Sequence, residues 1–355
     1  MEEAKTKRTP SVSLLSANSA EGFYSLYEGA FDLREFDRIF VIAGGPGTGK
    51  STLMQRLAAA GVEAGAVCEE ILCSSDPASL DGVILEAKGR RVGILDGTPP
   101  HPRTVTAPGF KEELFAFERF WDTAGLYAQR SVIEALNERK RTAYLSAYHY
   151  LSALGSLQKE EHLSRARYFD KEKAVRQIRH KTHLLKESGP HKKRFLRAFS
   201  TKGEFVLPFA RTELDGILLI SGKESSAEMY LSLFSKSLQE KGIAFTEYLS
   251  PLCPEFTEGI YLPENKTLLI KEGLYKGNVK SRRIVADRFF PDAVIKGKER
   301  DALSSGLLDL AITSLSSAGK AHAAIEEIYK ARMDFDALQA ESKHLCARVL
   351  STLGL

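Results

Sequence analysis

The stretch Ile39-Phe40-Val41-Ile42-Ala43-Gly44-Gly45-Pro46-Gly47-Thr48-Gly49-Lys50-Ser51-Thr52-Leu53-Met54 decides the fold of this chain. Ile39 to Ile42 read as a short buried strand, and Leu53, Met54, Leu57 and Ala58 have helical spacing. Between them lie the residues of GxxxxGK[ST], in the strand-loop-helix frame that gives this pattern meaning. The glycines let the backbone aim several N–H groups at one point, and the helix that follows adds its positive end. Gly44, Gly45, Pro46, Gly47, Thr48 and Gly49 are therefore expected to cradle phosphates. Lys50 would neutralise them, Ser51 would hold Mg²⁺, and Thr52 would support the end of the loop.

A magnesium-nucleotide site also needs a carboxylate at the end of a neighbouring strand. Arg91-Val92-Gly93-Ile94-Leu95-Asp96 supplies one, so Asp96 is the second expected metal ligand and a catalytic candidate beside Lys50. Many mechanical ATPases place a glutamate directly after this aspartate, and here the position is Gly97. Slow hydrolysis is expected unless a base arrives from elsewhere. Thr98 and His101 just beyond, and Asp76 and Asp81 in the loop Cys73 to Asp81, are the candidates. His101 is carried forward as an acid or base for catalysis. No guanine-reading NKxD accompanies the loop, which favours ATP over GTP.

The second half repeats the layout of the first. Ala17 to Phe23 resembles Ala198 to Phe205, and Ile39 to Gly44 resembles Ile217 to Gly222. Leu72-Cys73 and Asp81 to Leu85 match Leu252-Cys253 and Glu258 to Leu262. Val92 to Gly97 matches Leu268 to Gly273, and Ala166 to Asp170 is echoed by Ala331 to Asp336. Each half also ends in a proline-free helical pattern, through Ile133, Leu136, Ala143, Ala147, Leu151 and Leu154 in one, and Leu308, Ile312, Leu315, Ile325 and Ile328 in the other. The expected fold is α/β, with tandem P-loop NTPase-like three-layer units over 1–190 and 191–355, each bearing a helical hairpin. In the second unit Ala227, Glu228 and Met229 fall where Gly49, Lys50 and Ser51 stand in the first. An anion in the place of Lys50 costs a phosphate about 4 kcal/mol at 4 Å and an effective dielectric near 20. The second unit is expected to keep the fold and lose the nucleotide.

With 355 residues, 43% hydrophobic and 27% charged, the chain has the length and composition of about two ordinary globular domains. A net charge of +4 gives no global field for nucleic acid or an acidic membrane, and neither is expected as a partner. With no export signal and no metal spacing among Cys68, Cys73, Cys253 and Cys346, the chain reads as cytoplasmic with reduced thiols. The basic segment Arg176 to Arg197 reads as a solvated helix face and linker, or as a patch for an acidic partner. His180 and His183 within it lack a completing ligand for a metal.

ANSAEGFY at Ala17 to Tyr24, GGPGTGKSTLM at Gly44 to Met54, LCSSDPASLDGV at Leu72 to Val83 and VGILDGTPPH at Val92 to His101 together resemble a group of bacterial tandem P-loop proteins of ATPase or ATP-binding type. The likeness spans nearly the whole chain and implies two α/β copies with long helical insertions, binding ATP and Mg²⁺. Members of that group often keep both loops intact, and this chain departs from them at Ala227, Glu228 and Met229. Three activities fit these residues. The first is an ATPase with one competent site. The second is a small-molecule or nucleotide kinase with lid cations among Arg165, Arg167, Arg139, Lys140 and Arg141. The third is a nucleotide-gated protein that binds a partner through its helical insertions.

Overall fold

The computed structural model describes residues 10–99, 103–208, 214–277, 280–292 and 299–355, so His101 lies outside the described residues. The first half runs β1 (Ser11–Leu14), β2 (Ser16–Ser19), β3 (Gly22–Ser25), α1 (Tyr27–Ala30), β4 (Arg38–Ala43), α2 (Lys50–Glu63), β5 (Val67–Leu72), β6 (Leu80–Ala87), β7 (Arg90–Asp96), β8 (Glu112–Ala116), α3 (Thr123–Ala128), α4 (Arg130–Ala166) and α5 (Lys171–Thr182). The second runs β9 (His191–Phe195), β10 (Arg197–Ser200), β11 (Gly203–Val206), β12 (Gly216–Ser221), α6 (Glu224–Glu240), β13 (Phe245–Leu249), β14 (Thr257–Leu262), β15 (Thr267–Lys271), β16 (Ser281–Val285), α7 (Glu299–Lys330) and α8 (Phe335–Thr352).

These elements make a mixed α/β protein around one twelve-stranded sheet. Its order from the middle to one edge is β1-β5-β6-β7-β4-β8, and from the middle to the other is β9-β13-β14-β15-β12-β16. Strand for strand the two orders are the same, and the hairpins β2-β3 and β10-β11 also correspond. The halves meet where β1 runs antiparallel to β9, through the pair Leu14 and Phe195. Beside that seam, Arg194 of β9 reaches Glu69 of β5 at 2.9 Å. Two residues of the expected basic linker, Arg194 in this sheet and Arg197 in the β10-β11 hairpin, are buried, where charge must be paired. β4 lies between β7 and β8, parallel to both, which explains why Ile39 to Ile42 is apolar without alternation.

The helices do not stay with the half that precedes them. α4 is 37 residues long, about 55 Å, and packs along α7. Ala147, Leu151 and Leu154 of α4 meet Ala311 and Leu315 of α7 in a common core. Beyond this pair the chains cross. α5 follows the first half yet buries Ala174 and Ile178 against Tyr230, Phe234 and Leu238 of α6. α8 follows the second half yet buries Leu338, Leu345, Val349 and Leu353 against α2 and the first half's strands. Each crossing ends in the same device. Asp170 caps α5 and donates its N–H to Phe289 O, while Asp334 caps α8 and donates its N–H to Phe120 O. The hairpin is therefore built from one helix of each half, where the sequence suggested one hairpin within each.

This exchange bears on the boundary at 190. The four buried aliphatic side chains Leu338, Leu345, Val349 and Leu353 of α8 and its C-cap contribute on the order of 6 to 12 kcal/mol, comparable with the whole stability of a domain. A fragment of residues 1–190 lacks that cover and should aggregate when made alone, while co-production with 191–355 should restore a soluble complex. Size exclusion and far-UV circular dichroism check this. A monomeric fragment with a cooperative melt would show that α8 is dispensable.

Candidate functional site

The loop from Gly44 to Gly49 closes β4 and opens α2. Gly47 at φ +68° and Gly49 at φ +91° occupy the left-handed region, which side chains disfavour. Gly49 is the residue before the helix, and its carbonyl accepts the first helical bond from Leu53 N–H. Thr48 is buried and donates its hydroxyl to Gly45 O at 2.8 Å, bracing the loop from inside. The Lys50 ammonium donates to Gly44 O at 2.7 Å and Gly45 O at 2.8 Å, and stands 3.6 Å from Asp96 Oδ2.

Asp96 reaches that position because β7 is parallel to β4, with Asp96 opposite Ile42. Burial pushes its carboxyl up, against the opposing pull of Lys50 and of the hydrogen bonds from Thr98. Thr98 N–H donates to Asp96 Oδ1 at 2.8 Å, and the Thr98 hydroxyl bonds both that oxygen and Gly44 O. Thr98 therefore ties strand to loop. The Ser51 hydroxyl accepts a bond from Leu80 N–H at 2.8 Å, which joins the helix to the far end of the Cys73 to Asp81 loop. Thr52 is exposed on the first turn of α2. Asp81 is buried and bears electrostatically on Asp96, whereas Asp76 pairs at the surface with Lys202 at 2.8 Å. A β-carbon at Gly97 would lie 2.4 Å from Val41 Cγ1, so the position after Asp96 has no room for the glutamate of mechanical ATPases.

No local pattern in the chain marks what lies over the loop. α7, from the other half, rests on it: a β-carbon at Gly45 would meet Tyr329 Cε1 at 2.8 Å, and one at Gly47 would meet the Glu326 carbonyl at 2.6 Å. Both glycines are needed for close approach of a helix, and Gly47 is needed for the turn as well. One turn earlier on α7 stands His322, whose ring lies 3.6 Å from Glu326 Oε1. The order of the repeat would have found these residues. Gly155 and Gly319 are the points where α4 and α7 touch the hairpin turns at Ala20 and Thr201, and counting on from them pairs Gln158 with His322 and Arg165 with Tyr329.

The corresponding place in the second half is filled. Only Gly222 and Lys223 separate β12 from α6, so α6 begins a turn early and Ser225, Ser226, Ala227 and Glu228 are buried where a loop would lie. The register of β15 against β12 sets Lys271 opposite Ile220, as Asp96 lies opposite Ile42. The counterpart of Asp96 is therefore Lys271, one residue before the Glu272 that sequence alignment suggests. Lys271 Nζ lies 3.0 Å from Glu228, 2.6 Å from Glu224 and 3.4 Å from Glu258, and Arg197 reaches Glu258 at 2.6 Å. The three carboxylates are close enough together to share a metal ion, yet an ammonium already stands within 3.4 Å of all of them. The end of α4 is bound there too: Gln158 donates to Glu228 at 2.9 Å, Ser225 to Glu161 at 3.0 Å and Arg165 to Ser226 at 2.7 Å. That use of Arg165 removes it from the lid cations expected for a kinase. Arg167 lies over the Tyr168 ring.

No protein-family model, no curated protein and no solved structure matches this chain. Among the described residues, no helix is long and apolar enough to cross a membrane.

The charge count of the second pocket has a measurable result. Three carboxylates face two cations, and burial, with Glu224 and Glu258 nearby, pushes the Glu228 carboxyl up to about 8 against the pull of Lys271. The folded chain keeps this proton while the unfolded chain releases it near the ordinary 4.5, so stability falls as pH rises from 4.5 to about 8. Glu228→Gln should flatten that slope and raise stability at pH 8 by a few kcal/mol, read by urea unfolding across this range. An unchanged slope would mean that the pocket is charge-balanced with Glu228 ionised.

Proposed function

We propose that the chain is an ATP-binding P-loop NTPase of two tandem NTPase-like units, with one Mg-ATP site in the first. The observation that carries this reading is Lys50 set 3.6 Å from Asp96 beneath a glycine loop at a strand-to-helix junction. Gly44, Gly45, Gly47, Thr48 and Gly49 would hold the phosphates, Lys50 would neutralise them, and Ser51 and Asp96 would hold Mg²⁺. The likeness of the four sequence motifs to bacterial tandem P-loop proteins supports the same assignment. In the second unit Lys271 and Arg197 are already paired with Glu224, Glu228 and Glu258, and only two residues separate strand from helix, so nothing there is set to receive a phosphate. A cytoplasmic place, where ATP is plentiful, suits this reading.

Site chemistry favours slow turnover. A cation, a metal and backbone N–H groups stabilise the charge of phosphoryl transfer, while Gly97 leaves water without an adjacent base. Transfer to a small acceptor has less support, because Arg165 is committed to the second unit. A nucleotide-gated interaction protein has more, because α7 rests on the loop and the hairpin carries exposed Leu145, Leu163, Leu303 and Leu310.

Mg-ATP at a hundredfold excess over its Kd should stabilise the fold by about 2.7 kcal/mol, visible as a thermal shift. Lys50→Ala should abolish the shift, whatever it does to the melting temperature without ligand. Calorimetry should give one nucleotide per chain, and two would contradict the filled second pocket. Phosphate release by the isolated protein should fall well below the ~10 s⁻¹ median of enzymes. A shift of equal size in Lys50→Ala would place the nucleotide elsewhere.

A further inference from the structure

The two halves differ in what the crossing helix offers to the junction beneath it. In the second half, Gln158 of α4 donates directly to Glu228 at 2.9 Å, an amide against a carboxylate. In the first, the equivalent positions hold His322 of α7 and Lys50 of α2. An imidazole and an ammonium cannot make that bond when the ring is charged, and both become good donors to an anion placed between them. The helix is held in reach, since Tyr329 and Glu326 of the same face lie against Gly45 and Gly47.

We propose that His322, brought from the second half on α7, contacts the terminal phosphate of a nucleoside triphosphate bound on the first half's glycine loop, and so lets α7 distinguish triphosphate from diphosphate. The inference rests on the phosphate-site reading above. His322 is reachable, with 47% of its side chain exposed, and its ring stands 3.6 Å from Glu326, beyond hydrogen-bond length. The charged groups that bear on it are Glu326 on its own helix, Lys140 of α4, Lys50 of α2 and Asp76 of the loop before β6. Burial, together with Lys140 and Lys50, holds the free ring below its ordinary value, against Glu326 and Asp76. A phosphate group beside it reverses the balance, so triphosphate binding draws a proton onto the ring. Triphosphate affinity then falls as pH rises past the free ring's pKa, and levels off above that of the complex. A diphosphate, which lacks the terminal group, leaves the ring as it was.

The probes are Mg-ADP and the Mg complex of an ATP analogue with an imido bridge between its β and γ phosphates. His322→Gln and His322→Ala should bind ADP within twofold of the unmodified chain and the analogue about tenfold more weakly, the loss expected for one charge-assisted hydrogen bond. In the unmodified chain, the His322 ring resonance, assigned by its absence in His322→Gln, should titrate at higher pH with the analogue than with ADP. Calorimetry in buffers of different ionisation enthalpy should show proton uptake with the analogue beyond that of His322→Gln. A ring whose titration is the same in both complexes overturns the inference even if a variant folds poorly. So does a His322→Ala chain that binds both nucleotides as the unmodified chain does. If Lys50→Ala abolishes binding while His322 is indifferent, the phosphate site stands and only the role of His322 falls. If the unmodified chain binds neither nucleotide, both fall together.

Discussion

At the bottom of each half, a charge on the first turns of a helix is held against the opposite charge at the end of the strand beside it. In the first half the pair is Lys50 and Asp96 at 3.6 Å, and in the second it is Glu228 and Lys271 at 3.0 Å, with the signs exchanged. At such distances and an effective dielectric near 20, an ionised pair of this kind is worth about 4 kcal/mol; in the second half Glu228 keeps its proton up to about pH 8, and the charges that hold Lys271 below that are those of Glu224 and Glu258. Reversing one partner alone would turn that attraction into an equal repulsion inside a buried junction. Reversing both keeps the helix tied to the sheet. The exchange preserves the junction and removes the one thing a phosphate requires, a cation aimed at the loop. The extra turn of α6 then occupies the ground that a phosphate loop would need.

The crossing of the helices follows from how little each half can bury by itself. α2 presents Leu53, Met54, Leu57 and Ala58 to the sheet and α8, and α8 comes from the distant end of the chain. α6 likewise depends on Ala174 and Ile178 of α5. Neither set of strands has a complete cover without the other half's last helix. The α4 and α7 pair is thus the strap through which each half holds the other's core closed, and its position cannot change without effect on both.

The glycine loop, Lys50 and Asp96 were legible in the sequence because each belongs to a short local pattern whose geometry is set by neighbours in the chain. The duplicated layout was legible as six weak similarities in one sequence order, while the common strand order of the two halves came from the structure. What failed was of longer range. Helical periodicity shows that α5 and α8 each have an apolar face, and says nothing of which surface covers it. Arg194 and Arg197 read as solvated charge and Arg165 as a lid cation, yet Glu69, Glu258 and Ser226 reach them from distant segments. The slip from Lys271 to Glu272 arose because the junction changed sign, so the acid was sought where a base now stands. Glu326, Tyr329 and His322 were missed because nothing in α7's own sequence marks its proximity to a loop more than two hundred residues earlier.

The two ends of the strap are held differently. At one, α4 is bonded to α6 through Gln158, Glu161 and Arg165, and Arg165 also lies 3.5 Å from Asp287. At the other, α7 meets the loop through the ring of Tyr329 and the backbone of Glu326, set against glycines with no side chain to interlock. A ligand can displace an equilibrium only as far as it binds one arrangement better than the other. Contacts among side chains at the α4 end are made whether or not anything is bound, so that end has nothing to report. At the α7 end the surface presented to the helix is the loop itself, and whatever the loop holds changes what the helix touches. On the nucleotide-site reading proposed above, the α4 end is the fixed reference and the glycine end the one that a bound phosphate would change.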